Sequence, residues 1–587
     1  MVKIGPTFSD FVTREKTKRY SERRNFLSPE LIEALPLVLL ILFFLFLVLR
    51  LFYIQIVRGD YYRVLSENNR TKTVIITAPR GIIYDRNGKV LVSNAASYKK
   101  IEEKKVKWLD QDEALKLIES GQKVDEAVQR QYIYKNSLSH VLGYVGQISE
   151  EEIVLPEFKN YGISDFVGQM GLERQYENLL HGKSGKELFE IDAGGNVIRS
   201  LGREEPVQGK SINTTIDLNV QLAVSLAFEN VKKGAVVVSD PRNGEILALY
   251  SKPDFDPNIF THNNDYEPQG DYSSRESTLL DNQNQPLLDR AIGGVYPPGS
   301  TFKLVTAIAA LEQGTINSDT KIDDTGVLRV GAFSFGNWYF LQHGKTEGLL
   351  DVVGAIKRSN DIFFYKAAES AGVSNISAWA KKVGLGEKLG IDIPGEASGT
   401  VPDPSWKQKI IGEPWYLGDT YNYGIGQGYL LTTPLQVNSF TTVFANDGIL
   451  YKPHLMKNKT QILRKDFLDK GYVDLVREGM RESCESGGVA WPFFDFKVKN
   501  KRITIDDKNY THSASDSAEM VRISVGCKTG TSESGGEDTL PHAWITVFAP
   551  FYNPEIVVTV LVENSGEGSS IAGPIARDIL KDYFTNK

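Results

Sequence analysis

From Leu35 to Val57 the chain reads LPLVLLILFFLFLVLRLFYIQIV, an apolar run interrupted by one charge, Arg50. About 20 such residues are what a helix needs to cross a hydrocarbon core. Arg50 lies near the far end, where a long side chain snorkels to the interface. Ahead of the run, REKTKRYSERR carries Arg14, Lys16, Lys18, Arg19, Arg23 and Arg24. That excess of positive charge predicts a cytoplasmic N-terminus with the rest of the chain across the membrane. The residues that follow the run are bulky and aromatic, unlike a cleavage site, so the expectation is an uncleaved anchor. Residues 1–33 then form a cytoplasmic tail and 34–57 a transmembrane helix.

Beyond the anchor the pattern changes twice. In TKTVIITAPRGIIYDRNGKVLVSN (71–94), β-branched alternation broken at Pro79-Arg80-Gly81 and Asn87-Gly88 predicts strand, turn, strand, turn, strand. Arg80, Asp85 and Arg86 fall in those turns and read as a structural ion-pair cluster. Residues 96–135 are charged and lean towards helix, with DQDEALKLIESGQ the strongest segment, and 171–198 reads as helix followed by hairpin. Together, 58–212 read as an elongated α+β region without a deep core of its own. In the remainder, 213–587, GAVVVSDPRNGEILALYS predicts two strands, and VRISVGCKTGT, HAWITVFAP and EIVVTVLVEN predict three more. Helices expected over 301–313, 348–371, 374–383 and 434–446 fall between the two strand groups. A sheet built from both ends of a domain, with a helical block inserted, places the fold in the α+β class.

A formal charge of −7 over 587 residues gives no electrostatic reason to expect a nucleic-acid partner. The two cysteines, Cys484 and Cys527, are too few for a disulfide framework and are not spaced as metal ligands.

The chemistry begins at YPPGSTFK, where Ser300 and Lys303 share one helical face at i, i+3. A neutral lysine there takes the serine proton and makes the hydroxyl a nucleophile. That requires a lysine pKa depressed by burial or by a second cation. At average usage of roughly 7% each, S-x-x-K arises about three times by chance in a chain this long, so the pair alone reads equally as a capping serine with a solvated lysine. Two further stretches change the weighting. KRSNDIFFYKAAE places Ser359, Asn360 and Asp361 at the start of an aromatic-rich helix. GCKTGTSES places Lys528, Thr529, Gly530 and Thr531 at the end of a β-pattern, with Gly530 permitting close backbone approach.

These are the S-x-x-K, S-D-N-like and K-T-G elements, in order, of penicillin-binding proteins and serine β-lactamases. With RGIIYDRNG, GLERQYENLLHGKSG and GDTYNYGIGQGYLLTTPLQ, the chain resembles a class B penicillin-binding protein, a monofunctional D,D-transpeptidase of peptidoglycan synthesis. PWYLGDTYNYGIGQG and HAW look like the penicillin-binding protein 2 branch, which serves cell elongation. The resemblance implies a single transmembrane helix, an elongated pedestal over 58–212 and, over 213–587, a transpeptidase domain with a central antiparallel sheet flanked by helices. It implies that Ser300 attacks a D-Ala–D-Ala carbonyl with Lys303 as base. Ser359 relays a proton to the leaving amine, held by Asp361 or Asn360, and Lys528 keeps Lys303 neutral. Lys528, Thr529 and Thr531 bind the donor carboxylate beside Gly530, and the N–H groups of Ser300 and Thr531 form the oxyanion hole.

No cofactor is implied. Some relatives hold zinc near the active site, but the apparently corresponding positions here are Asp324, Asn337, His343 and Asn360, and two amides make poor ligands, so no metal is expected. The segment from Asn94 to His140 is shorter than the head region usual in this branch. The expected partners are peptidoglycan stem peptides on lipid II-derived glycan, β-lactams, a RodA-type SEDS glycosyltransferase and other elongation proteins, at a bacterial inner membrane. The competing readings are a β-lactamase, a β-lactam sensor, and a scaffold that mainly activates the polymerase.

Overall fold

The computed structural model describes residues 29–587 except 103–104, 110, 123, 160, 193, 195, 262–265, 507, 513–516, 518, 534 and 537–538. Most of the expected cytoplasmic tail therefore lies outside the described residues. The chain forms two compact units: residues up to Ile75 with Lys186–Glu204, and Ile76–Gly185 with Glu205–Lys587.

In the first unit, helix Pro29–Phe52 continues through a π-helical turn, Tyr53–Val57, into helix Gly59–Arg70. Its segment Leu35–Val57, 23 residues, is long and apolar enough to cross a membrane. Strand Thr71–Ile76 pairs with the hairpin Gly185–Ile191 and Val197–Glu204. The hairpin expected near 171–198 is thus present, and Arg70 pairs with Glu190 at 2.6 Å.

The second unit is built on a five-stranded antiparallel sheet of β1 (Gly234–Ser239), β2 (Ile246–Lys252), β3 (Gly526–Ser532), β4 (His542–Ala549) and β5 (Ile556–Val562), in the order β2-β1-β5-β4-β3. Strands such as IVVTVLV are almost wholly apolar because both faces are covered. One face carries α1 (Leu218–Ala227) and the C-terminal α7 (Ala572–Asn586). The other carries the helical block: α2 (Lys303–Glu312), α3 (Val352–Arg358), α4 (Asp361–Ala371), α5 (Pro434–Ala445) and α6 (Lys470–Ser483). Along β4, Trp544 and Phe548 enter the helical core while Ala543, Ile545 and Val547 face α1 and α7, the period of two that a strand imposes.

Three expectations needed correction. Among the described residues, 96–135 are mainly strand: Val90–Glu102 pairs with both Lys105–Leu109 and Asp125–Tyr132, and Gln111–Glu119 is the one α-helix. Charged side chains lean towards helix, but cross-strand pairing decides the outcome. The helix expected over 348–371 is strand Gly348–Leu350 followed by α3 and α4, separated at Ser359 and Asn360. VRISVGCKTGT is two strands, of which Met520–Ile523 belongs to a separate three-stranded sheet. In addition, Cys484 and Cys527 form a disulfide that joins the end of α6 to β3.

Among the described residues, the segment after Ile76 has only a small cluster of its own, Ile148, Phe158 and Val167. Ile83, Leu91, Val92, Val141 and Leu172 pack into one cluster with Ala235 and Val237 of β1 and Leu249 of β2. Its polar centre is an ion-pair cluster, but of the three residues expected there, Arg80, Asp85 and Arg86, only Arg80 belongs to it. Arg80 reaches Glu173 at 2.7 Å and Glu177 at 2.8 Å, and Arg130 reaches Glu173 at 2.6 Å. Arg86 instead pairs with Glu245, and Asp85 accepts the N–H groups of Asn87 and Lys89 in its own turn. Burial pushes the Glu177 carboxyl up, but Arg80 beside it prevails and brings its pKa down from 4.5 to about 2. Because the folded value is the lower, the stabilisation from this pair is complete above pH 4.5 and disappears as pH falls towards 2.

Glu173 has no exposed side-chain surface and is shared by two buried arginines. Glu173→Ala is expected to lower stability by about 3–5 kcal/mol, because it leaves buried guanidinium charge unpaired. Urea unfolding of the detergent-solubilised chain measures this, and a loss below about 1 kcal/mol would contradict the cluster's structural role.

Candidate active site

Pro297-Pro298-Gly299 turns the chain into a 3-10 turn, Gly299–Phe302, that leads directly into α2. Gly299 adopts φ +53°, and a Cβ there would lie 2.7 Å from the carbonyl oxygen of Thr531, so only glycine lets β3 approach this turn. A Cβ on Gly530 would likewise meet Pro298, Thr301 and Trp544 at 3.0 Å. The Ser300 turn and the K-T-G strand are therefore in backbone contact. Ser300 is half-buried and Thr531 exposed, whereas Lys303 and Lys528 have no exposed surface.

The second wall is the break between α3 and α4. Ser359 takes a left-handed conformation, φ 53° and ψ 37°. Asn360 then caps α4, its side chain accepting the Phe363 N–H at 2.9 Å. Asp361 is the first residue of α4, where the helix dipole favours a carboxylate.

On Ser359 the two lysines meet. Lys303 Nζ donates to the Ser359 carbonyl at 2.7 Å and to Asp361 Oδ1 at 2.6 Å, and lies 3.3 Å from Ser359 Oγ. Lys528 Nζ donates to the same Oγ at 2.8 Å and to the Thr529 carbonyl at 3.0 Å. The other Asp361 oxygen accepts the Trp338 N–H at 2.9 Å. Burial lowers the pKa of both amines from 10.5. Asp361 pulls Lys303 back up. Lys528 falls well below its ordinary value, first from burial and then from the positive charge of Lys303. The cluster holds two amines and one carboxylate, with the carboxylate on Lys303.

Of the residues singled out in the sequence, the structure joins Lys303, Ser359, Asp361 and Lys528 into one hydrogen-bonded group and sets Gly530 and Thr531 against the Ser300 turn. Ser300 Oγ makes no hydrogen bond among the described residues. Of the two residues after Ser359, Asp361 reaches Lys303, while Asn360 Nδ2 turns away to Glu347 Oε2 at 2.9 Å. Asp324 accepts Asn337 Nδ2 at 2.8 Å and the Glu347 N–H at 3.0 Å, and the His343 ring packs on Tyr339. Asn337 in turn accepts the Asp361 N–H at 3.1 Å. Sequence reasoning missed Trp338 and Glu347 altogether. Neither belongs to a motif, and only the fold brings them to Asp361 and Asn360.

Comparison with known proteins agrees with this geometry. Residues 234–581 match the penicillin-binding protein transpeptidase domain and residues 98–214 the penicillin-binding protein dimerisation domain. The chain is 32% identical to the peptidoglycan D,D-transpeptidase MrdA of Haemophilus influenzae, over 99% of this chain and 95% of that protein. It is also 32% identical to MrdA of Escherichia coli K12, over 91% of each. Among solved structures it is similar to PBP2 of Helicobacter pylori in complex with MreC, with a TM-score of 0.71 and 28% identity over 88% of this chain and 99% of that one. It is also similar to Pseudomonas aeruginosa PBP2 in complex with WCK 5153, with a TM-score of 0.67 and 29% identity over 87% of this chain and 96% of that one. A chain of a peptidoglycan synthase complex, solved for the coordination of polymerization and crosslinking, gives a TM-score of 0.70 at 29% identity over 95% of this chain and 98% of that one. With the lysine–serine cluster at the edge of an antiparallel sheet, these likenesses place the chain in the class B penicillin-binding proteins, in the MrdA/PBP2 branch.

Proposed function

We propose that the chain cross-links peptidoglycan stem peptides during cell elongation through an acyl-enzyme on Ser300, and that β-lactams trap the same intermediate. What carries this reading is the meeting of Lys303 and Lys528 on the Ser359 hydroxyl, beside a turn that presents Ser300 next to Thr531.

Ser300 Oγ attacks the penultimate D-Ala carbonyl and its proton passes to Lys303 Nζ. Lys303 must first be neutral, and the placement of the carboxylate suggests how. Lys528, the amine with no carboxylate bonded to it, is the more readily deprotonated; Ser359 Oγ then accepts from Lys303 and donates to Lys528, shifting one proton across. The tetrahedral oxyanion is held by the N–H groups of Ser300 and Thr531. Its collapse breaks the peptide bond, and the departing D-Ala amine takes a proton through Ser359. An amine of a second stem peptide then attacks the ester, releasing Ser300 and forming the cross-link. Thr529 and Thr531, with Lys528, are the donor-carboxylate contacts.

On this reading 58–212 is the non-catalytic pedestal and 213–587 the transpeptidase domain. The basic tail keeps the N-terminus cytoplasmic and leaves the active site on the cell-wall side. Relatives solved with MreC and within a peptidoglycan synthase complex support elongation partners, and we assign a RodA-type SEDS glycosyltransferase to the membrane helix and pedestal.

Penicillin treatment followed by intact mass measurement and peptide mapping is expected to find one adduct, on Ser300, absent from Ser300→Ala; an adduct on any other residue overturns the mechanism. Ser300→Ala is also expected to retain stimulation of the partner's glycan polymerisation while losing cross-linking, read by muropeptide analysis. The rate of penicillin acylation should rise with pH along a limb below 10.5, the ordinary lysine value, because both amines are lowered. Lys528→Gln removes the more acidic amine and leaves Lys303 paired with Asp361, so the limb should move to higher pH and the neutral-pH rate fall by about 10²–10⁴. An unmoved limb would exclude Lys528 from the proton exchange.

A further inference from the structure

Ser359 is the only residue of the lysine cluster in the left-handed backbone region, at φ 53°. A residue with a side chain is strained there and keeps the conformation only where its surroundings impose it. Both of its neighbours are tied to a single carboxylate. Arg358 Nε donates to Glu347 Oε1, and Asn360 Nδ2 donates to Glu347 Oε2 at 2.9 Å. The Glu347 side chain is 6% exposed, and its backbone N–H is fixed on Asp324. Arg358 is held from two other sides: its guanidinium donates to the Gly487 carbonyl at 3.0 Å, and its carbonyl accepts Trp338 Nε1 at 3.1 Å.

We propose that Glu347 is a positioning residue for the acylation reaction: its carboxylate bridges Arg358 and Asn360 and so keeps the carbonyl and hydroxyl of the intervening Ser359 on Lys303 and Lys528. The assignment rests on the Ser300 reading above. Capping by Asn360 fixes the start of α4 but does not constrain Arg358, on the other side of the strained residue. The bridge does both. Its charge also reaches the base. The charged groups facing Lys303 are Asp361 on α4, Lys528 on β3 and, beyond Asn360, Glu347, which itself faces Arg358 and Asp324.

The test is the second-order rate of penicillin acylation as a function of pH, for the full chain in detergent, with the adduct mapped in every variant. Glu347→Gln keeps the shape but cannot accept at both ends, and should slow acylation by about 10–100-fold while Ser300 remains the labelled residue. Removing the negative charge should also move the acid limb to lower pH, because Glu347 holds the proton on Lys303 more tightly, and a purely structural loss would not shift it. Glu347→Asp should recover part of the rate and restore the limb. If Glu347→Gln fails to fold, Arg358→Met, which cuts the bridge from its more exposed end, must give the same slowing, here with the limb moved to higher pH because Glu347 then faces Lys303 without its guanidinium counter-charge. Glu347→Gln, or Arg358→Met in its place, acylating within twofold of the parent with an unmoved limb overturns the proposal. A parent adduct on a residue other than Ser300 instead overturns the underlying active-site reading.

Discussion

Two lysine amines withdrawn from water converge on one serine hydroxyl with one carboxylate between them, and much of the surrounding architecture makes that arrangement tolerable. Burying an ammonium ion costs several kcal/mol even after relaxation. Two side by side are sustainable only if one can give up its proton and the other has a fixed counter-charge. Asp361 supplies the counter-charge, anchored by the Trp338 N–H and by its place at the start of α4. Ser359 gives each amine an oxygen, the carbonyl for Lys303 and the hydroxyl for Lys528. Amines, hydroxyl and carboxylate form one hydrogen-bonded unit.

That unit sits where the fold can bring three distant segments together. The edge strand β3 carries Lys528, the turn before α2 carries Ser300, and the α3–α4 break carries Ser359. Edge placement leaves the far side of β3 open, so Thr531 stays exposed while Lys528, three residues earlier, has no contact with solvent. The disulfide between Cys484 and Cys527 ties this strand to the end of α6, immediately before Lys528. Close backbone approach at Gly299 and Gly530 does the rest.

Much of this was readable in the chain because the chemistry requires particular residues at short spacing. Ser300 and Lys303 are one helical turn apart, and Lys528 to Thr531 are contiguous. Central strands such as GAVVVS and IVVTVLV were equally plain, since burial on both faces makes them almost wholly apolar. What escaped was of two kinds. Where charge and propensity favoured helix, as over 96–135, pairing of Val90–Glu102 with Asp125–Tyr132 overrode local preference. And an unbroken helix over 348–371 ignored the left-handed Ser359 that ends α3, although the aromatic-rich helix does begin at the Ser-Asn-Asp run, as its capping chemistry indicates. Trp338 and Glu347 left no local trace because their partners are more than ten residues away.

The shared apolar cluster beneath β1 and β2 bears on how such a chain can be cut. Val237 and Leu249 are kept dry by Leu91, Val141 and Leu172, residues that all precede residue 213. A polypeptide begun at residue 213 would carry that patch into water, an invitation to self-association. The cross-linking machinery is therefore not a portable module; its upstream neighbour acts as a built-in folding partner, and the two must drift together as sequences diverge.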